Sequence, residues 1–190
     1  MINVCVYGAG AIGGYLGCCL SKAGANVSLI ARGPHKEAIE KNGLTLISKT
    51  GSETFHLKVT ENPGELLTQD YIIIAVKAHA ITGIVKNLKP LLKEKTAVIS
   101  AVNGIPWWYF YKANSGTKLE NTHIDSVDPN GLIWDTINPK RAIGCVVYPA
   151  CEIEKPGVIK HIEGNRFSLG EPSEVNSERL KTLSGLLISG

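Results

Sequence analysis

Gly8-Ala9-Gly10-Ala11-Ile12-Gly13 sets glycine at the first, third and sixth positions of a six-residue run. Glycine at the first position permits a tight turn. At the third it lets the backbone approach a pyrophosphate with no Cβ in the way, and at the sixth it lets a helix pack closely on the preceding strand. A helix beginning there offers unpaired N–H groups and the positive end of its dipole to an anion. The pattern carries this meaning only between a strand and a helix. Here it follows the apolar run 2–7 and opens an amphipathic stretch over 11–23, with Gly24 as its stop. A dinucleotide is the anion this context predicts.

The second apolar run ends Leu29-Ile30-Ala31-Arg32-Gly33. A site for NAD carries Asp or Glu at this point to bind the ribose 2′-hydroxyl. Arg32 instead can hold a 2′-phosphate through paired, charge-assisted hydrogen bonds, so the expected cofactor is NADP(H). His35 and Lys36 either add positive charge there or are solvated. Ligands of open α/β sheets lie beyond the carboxyl ends of the strands, which brings in Lys77 after run 71–76 and Asn103 after run 96–102. Lys77 can put charge near the cofactor, and Asn103 can donate and accept near the nicotinamide ribose or the substrate. Both also have ordinary readings, as a solvated lysine and an Asn-Gly turn. His79, at the start of a helix, needs no ligand to explain it. The aromatic cluster 105–110 walls the nicotinamide end, contacts another domain or chain, or belongs to the core. His56, His123 and His161 have no carboxylate or cysteine at ligand spacing, and no metal site or nucleophile is expected.

The elements that must position these residues alternate. Apolar β-branched runs at 2–7, 26–31, 71–76 and 96–102 enclose helices at 11–23, 34–41 and 80–91, the pattern of a parallel sheet covered on both faces. The fold class expected is therefore α/β, a Rossmann-like, doubly wound, mostly parallel sheet. Segments 44–47 and 55–59 flank the turn-rich 48–53 and read as an inserted hairpin at a sheet edge. The polar stretch 111–139, with Trp134 as an isolated aromatic, is a long excursion, either a functional loop or a partly helical insertion. Strands at 143–147, 158–162 and 166–169 complete the sheet in antiparallel fashion, and Ser177 caps a helix through 187. The domain is expected to span 1–176, with 177–190 beginning a connection to a further domain.

The 190 residues hold 20 basic and 17 acidic side chains, a net charge of +3. No basic cluster points to nucleic acid. No apolar stretch reaches the roughly 18 residues needed to span a bilayer, and no leader segment is expected before the first strand. A cytoplasmic protein is expected, with no membrane partner. Cys5, Cys18, Cys19, Cys145 and Cys151 form an odd set without C-x-x-C spacing and read as reduced, mostly buried thiols.

Taken together, Gly8-Ala9-Gly10-Ala11-Ile12-Gly13-Gly14, Arg32, Ala75-Val76-Lys77-Ala78, Asn103-Gly104 and Phe167-Ser168-Leu169-Gly170-Glu171-Pro172 resemble the ketopantoate reductase (2-dehydropantoate 2-reductase) family across most of the chain. That resemblance implies NADPH-dependent reduction of a small keto acid, 2-dehydropantoate, to pantoate on the route to pantothenate and coenzyme A. It implies that Gly8, Ala9, Gly10, Ala11, Ile12 and Gly13 hold the pyrophosphate and Arg32 the 2′-phosphate. Lys77 and Asn103 then serve the nicotinamide side, and Ala150 touches the cofactor through its backbone. The family's catalytic lysine and its substrate-binding Asn, Ser and Glu lie in a second, all-helical domain, so these 190 residues are expected to bind cofactor without turning over substrate. The excursion 111–139 is longer than the family's usual connection, and exposed apolar surface leaves a homodimer open. Two other classes remain in view. One is another two-domain dehydrogenase, acting on glycerol 3-phosphate, an opine or a different keto acid. The other is a nucleotide-sensing domain that dimerises through 180–188.

Overall fold

Runs that are apolar at nearly every position can be covered only where both faces of a strand are buried, which is the interior of a parallel sheet. The computed structural model, which describes residues 1–113 and 116–190, builds that sheet. In chain order, β1 (Asn3–Tyr7), α1 (Ala11–Lys22), β2 (Asn26–Ile30) and α2 (Gly33–Asn42) lead into β3 (Leu44–Ser48), β4 (Gly51–Phe55) and β5 (Lys58–Thr60). Next come β6 (Tyr71–Ile74), the short α3 (Ile81–Ile84), β7 (Ala97–Ser100) and α4 (Leu132–Ile137). The chain ends with β8 (Ala142–Val147), β9 (Ala150–Lys155), β10 (Val158–Glu163), β11 (Phe167–Gly170) and α5 (Glu178–Ser189). Seven strands form one sheet in the order β11-β8-β7-β6-β1-β2-β5, parallel except for β11 against β8. Alternate side chains feed two cores. Val4 and Val6 face one with Leu16, Ile73 and Ile99, and Cys5 faces the other with Ile72, Ile74, Val98 and Trp107. The fold is the expected Rossmann-like, doubly wound α/β arrangement.

The edges differ from expectation. The hairpin's second strand is β4, closed through Lys49 and Thr50, while Lys58–Thr60 leaves it to pair with β2 in the main sheet. The hairpin belongs to a second sheet of order β4-β3-β10-β9, with β10 parallel to β3 and antiparallel to β9. Of the expected antiparallel completion, β8 enters the main sheet parallel to β7, β11 pairs antiparallel with β8, and β10 lies in the second sheet. A parallel pairing between segments more than 100 residues apart leaves no local mark for pattern reading to detect. The helix expected over 80–91 is one turn of α-helix followed by 3₁₀ turns at Val85–Leu91, with Pro90 inside. Proline has no N–H to donate to an i−4 carbonyl.

In the excursion 111–139, residues 114 and 115 lie outside the described residues. The remainder is partly helical. Asp128, fully buried, accepts from the backbone N–H of Ile133 (2.7 Å) and of Trp134 (2.9 Å), which fixes the start of α4. Trp134 is not isolated, because it meets Tyr111 edge-on at 6.0 Å. At the far end Ser177 caps α5 as expected, its hydroxyl accepting from the N–H of Leu180 at 3.2 Å. Leu183 is fully buried, and Leu180 and Leu187 pack against the same core as α1. Arg179 anchors this helix through Glu171, with Nε–Oε1 2.7 Å and Nη2–Oε2 2.5 Å, and donates to the Lys140 carbonyl. Among the described residues no helix is long and apolar enough to cross a membrane.

Candidate functional site

The register of the sheet brings the residues singled out in the sequence to one edge. Tyr7 lies beside Ile30 and Ile74, Ile74 beside Ser100, and Ser100 beside Gly144. The segments that follow these strands, 8–13, 31–36, 75–80 and 101–106, therefore emerge side by side. At about 4.8 Å per strand, the exits of β2 and β7 are separated by roughly 14 Å.

The glycine turn is built as its spacing predicts. Gly8 has φ +104°, a conformation costly for any residue with a Cβ. The N–H groups of Gly8 and Ala9 both donate to the Ile30 carbonyl at 3.0 Å, folding the turn back across β2. A Cβ on Gly13 would overlap the Gly8 carbonyl oxygen, so the start of α1 sits directly on the turn. A Cβ on Gly10, by contrast, would meet nothing within 4 Å. The space over Gly10 is open, and α1 starts there with no side-chain cap and no acidic residue in its first turn. Unpaired N–H groups facing open space beside glycine form a cradle that fits a phosphate.

Arg32 stands one residue before α2, exposed and extended (φ −137°, ψ 160°). Its guanidinium has no hydrogen bond or ion pair among the described residues. Lys36 does not add free charge, since its ammonium pairs with Glu40 at 2.9 Å. His35 is not a solvated cation either. Its Nδ1 accepts from the Gly157 N–H at 3.1 Å, and its Nε2 is buried with no formed hydrogen bond. Burial pushes its pKa below the ordinary histidine value, and a weaker opposing effect comes from the Ala9 carbonyl. The ring is neutral at pH 7.

Lys77 is exposed at the exit of β6, and its carbonyl accepts from the Ala80 N–H at 2.8 Å. Asn103 is committed in a way its position alone did not reveal. Its amide nitrogen donates to the Val147 carbonyl (2.9 Å) and its amide oxygen accepts from the Val147 N–H (3.0 Å), clasping the ends of β7 and β8. One N–H and one oxygen lone pair remain for a ligand. Ala150, half-buried, opens β9 just after this clasp. The aromatic cluster divides between roles. Trp107 is core, donating from Nε1 to Ser100 Oγ at 3.2 Å, Trp108 lies over Gly144, and Tyr109 is half exposed. A cavity of about 470 Å³ opens beside Asn103, lined by His79, Ile105, Trp107, Ser126 and Ile133 among others. All five thiols are free. Burial pushes Cys5 and Cys145 up to about 12 and Cys151 to about 11, so these sulfurs are protonated and unreactive at neutral pH.

Residues 4–174 match the family described as ketopantoate reductase PanE/ApbA. The chain is 47% identical over 184 residues to a 2-dehydropantoate 2-reductase of Mesorhizobium japonicum, covering 96% of this chain and 56% of that protein. Among solved structures, one named for a proposed ketopantoate reductase from Ralstonia solanacearum MolK2 superposes with a TM-score of 0.91 at 36% identity, over 100% of this chain and 58% of the other. A D-mandelate dehydrogenase solved with NADH and anilino(oxo)acetate shares the fold, with a TM-score of 0.76 at 20% identity over 99% of this chain and 54% of that one. The chain thus spans about half the length of the curated relatives it matches. By its profile match, its sequence identity and its architecture, this chain belongs to the ketopantoate reductase family.

Proposed function

We propose that residues 1–190 form the cofactor-binding part of an NADP(H)-dependent 2-dehydropantoate 2-reductase, a cytoplasmic enzyme of pantothenate and coenzyme A formation. The observation that carries the cofactor reading is the open, N–H-lined space over Gly10 with Arg32 unpaired at the exit of the neighbouring strand. Gly8, Ala9, Gly10, Ala11, Ile12 and Gly13 would hold the pyrophosphate, Gly8 and Ala9 by shaping the turn against Ile30 and the remainder through backbone N–H groups and the α1 dipole, and Arg32 the 2′-phosphate. Lys77, Ala150 and the free valences of Asn103 would flank the nicotinamide end, beside the cavity lined by His79, Trp107 and Ser126. When bound, the cofactor supplies the hydride that reduces the α-keto carbon. This chain's residues hold that cofactor in place, and we expect them to bind nucleotide without turning over keto acid by themselves.

The test is fluorescence titration of this chain with NADPH and NADH, as wild type and as Arg32→Ala. Wild type should favour NADPH. Arg32→Ala should lose about 1.5 to 3 kcal/mol of NADPH binding, roughly 10- to 150-fold, and almost none of NADH binding. An unchanged ratio between the two nucleotides would remove Arg32 from the 2′-phosphate site.

A further inference from the structure

Three charged residues follow the second strand at a spacing of four, with Arg32 at the N-cap of α2, then Lys36 and Glu40. The Lys36 N–H reaches back to the Arg32 carbonyl at 3.5 Å, so the lysine stands one turn, about 5.4 Å, along the helix from the arginine. Its side chain shares a face with Glu40, to which the ammonium donates at 2.9 Å, and neither side chain makes another hydrogen bond among the described residues. The stem of Lys36 lies against the protein with 24% of the side chain exposed, whereas Glu40 is 59% exposed. An exposed i, i+4 pair of this kind favours its closed form only about twofold. Toward Arg32 the helix face is unobstructed. No side chain caps the first N–H groups of α2, and no acidic residue stands in its first turn. Gly33 adopts φ +56°, and a Cβ on it would meet nothing within 4 Å, so nothing crowds the turn between Arg32 and Lys36.

We propose that Lys36 is a second ligand of the cofactor's 2′-phosphate, giving up its bond to Glu40 when that phosphate binds. This rests on reading the exit of β2, with Arg32, as the 2′-phosphate site. A phosphate monoester carries a charge of about −1.5 to −2 and three acceptor oxygens. It therefore competes well for the ammonium against one exposed carboxylate. Two cations one helical turn apart can hold it from two directions, the guanidinium through its planar fork and the ammonium as a point charge on a flexible four-carbon stem. The exchange is inexpensive because the Lys36–Glu40 pair is weak and Glu40 is left facing water. A ribose 2′-hydroxyl carries no charge to compete with Glu40, so NADH leaves the pair closed. Lys36 thus acts on the preference between the two nucleotides, and Glu40 acts on that preference only through Lys36.

The experiment measures dissociation constants of this chain for NADPH and for NADH as wild type, Lys36→Met, Glu40→Gln, the double variant and Arg32→Ala. Methionine keeps the length of the lysine stem and removes only its charge, and NADH binding reports whether each variant still folds. Lys36→Met should weaken NADPH about tenfold, the scale of one charge-assisted bond, and change NADH less than twofold. Glu40→Gln frees the ammonium and should tighten NADPH about two- to threefold without affecting NADH. In the double variant Glu40→Gln should bring no gain, so that its constants match those of Lys36→Met alone. A Lys36→Met variant that keeps the wild-type ratio of the two constants, whether both are unchanged or both are weakened alike, overturns the proposal. A Glu40→Gln gain that persists in the double variant overturns the exchange, since Glu40 would then act by its field on the phosphate. If Arg32→Ala loses NADPH selectively and Lys36→Met does not, this inference falls and the Arg32 reading stands. If neither substitution changes the ratio, or wild type binds neither nucleotide, both fall together.

Discussion

Gly10→Ala should leave the fold of this chain nearly intact and abolish tight NADPH binding, whereas Gly13→Ala should damage the fold itself. The two glycines are three residues apart in one motif, and their surroundings are opposite. A methyl group on Gly10 meets nothing within 4 Å, and its backbone (φ −69°, ψ −163°) suits alanine. The cost to stability should stay within about 1 kcal/mol, mainly the loss of a favourable N-cap residue. That methyl would nevertheless stand in the space assigned to a pyrophosphate, and binding should fall by two orders of magnitude or more, about 3 kcal/mol. On Gly13 the methyl meets the Gly8 carbonyl oxygen, backbone that cannot swing aside as a side-chain end would. An overpacking cost near 3 kcal/mol is expected, with nucleotide binding lost along with the turn. Urea denaturation and NADPH titration on both variants separate these outcomes. Nearly normal NADPH binding by Gly10→Ala would mean that the cofactor does not approach over this turn.

Arg179→Ala should release α5 and make the chain sensitive to acid in a new way. Glu171 keeps only 5% of its side chain exposed, and it is matched by a two-pronged contact from Arg179 and by the Ser177 hydroxyl at 2.5 Å. Burial by itself pushes the Glu171 carboxyl up. The hydrogen bonds from Arg179 and Ser177 and the charge of Arg179 more than offset this, and its pKa lies below the ordinary carboxylate value. The unfolded chain therefore binds a proton at Glu171 more readily than the folded one, so the pair's contribution is complete above the ordinary carboxylate value, begins to fall there, and is lost as pH falls on through the lower folded value. Removing the guanidinium strands a nearly buried carboxylate. The loss at pH 7 should be about 2 to 4 kcal/mol, below the upper range because 31% of the Arg179 side chain remains exposed. Arg179→Lys keeps the charge without the planar fork and should recover only part of it. Denaturation at pH 7 and pH 4 is the measurement. The gap between wild type and Arg179→Ala should be wide at pH 7 and narrower at pH 4. Equal gaps at both pH values would mean that the pair does not carry this stability.

Much of this molecule could be read in advance because the deciding interactions are local or periodic. The Gly8–Gly13 turn is encoded by three glycines, each with a steric reason, between a strand and a helix. The centre of the main sheet follows from runs such as Tyr71-Ile72-Ile73-Ile74, which no exposed strand could carry. The Ser177 cap needs only its own next three residues. Other features depend on partners far away in the chain. The β3 strand pairs with β10 across more than 100 residues, and the same alternating pattern would suit an edge of the main sheet. Nothing around His35 announces that Gly157 will meet it, so a residue that reads as either added charge or a solvated side chain beside Arg32 is a half-buried, neutral ring accepting the Gly157 N–H. Asn103 was recognisable as a strand-end residue, but the clasp on Val147 exists only because β8 lies next to β7. Periodicity and turn chemistry are properties of neighbouring residues, so they can be read along the chain. Protonation state, side-chain partners and sheet membership depend on which distant groups are brought within about 3 Å, and that is settled only when the whole chain is packed.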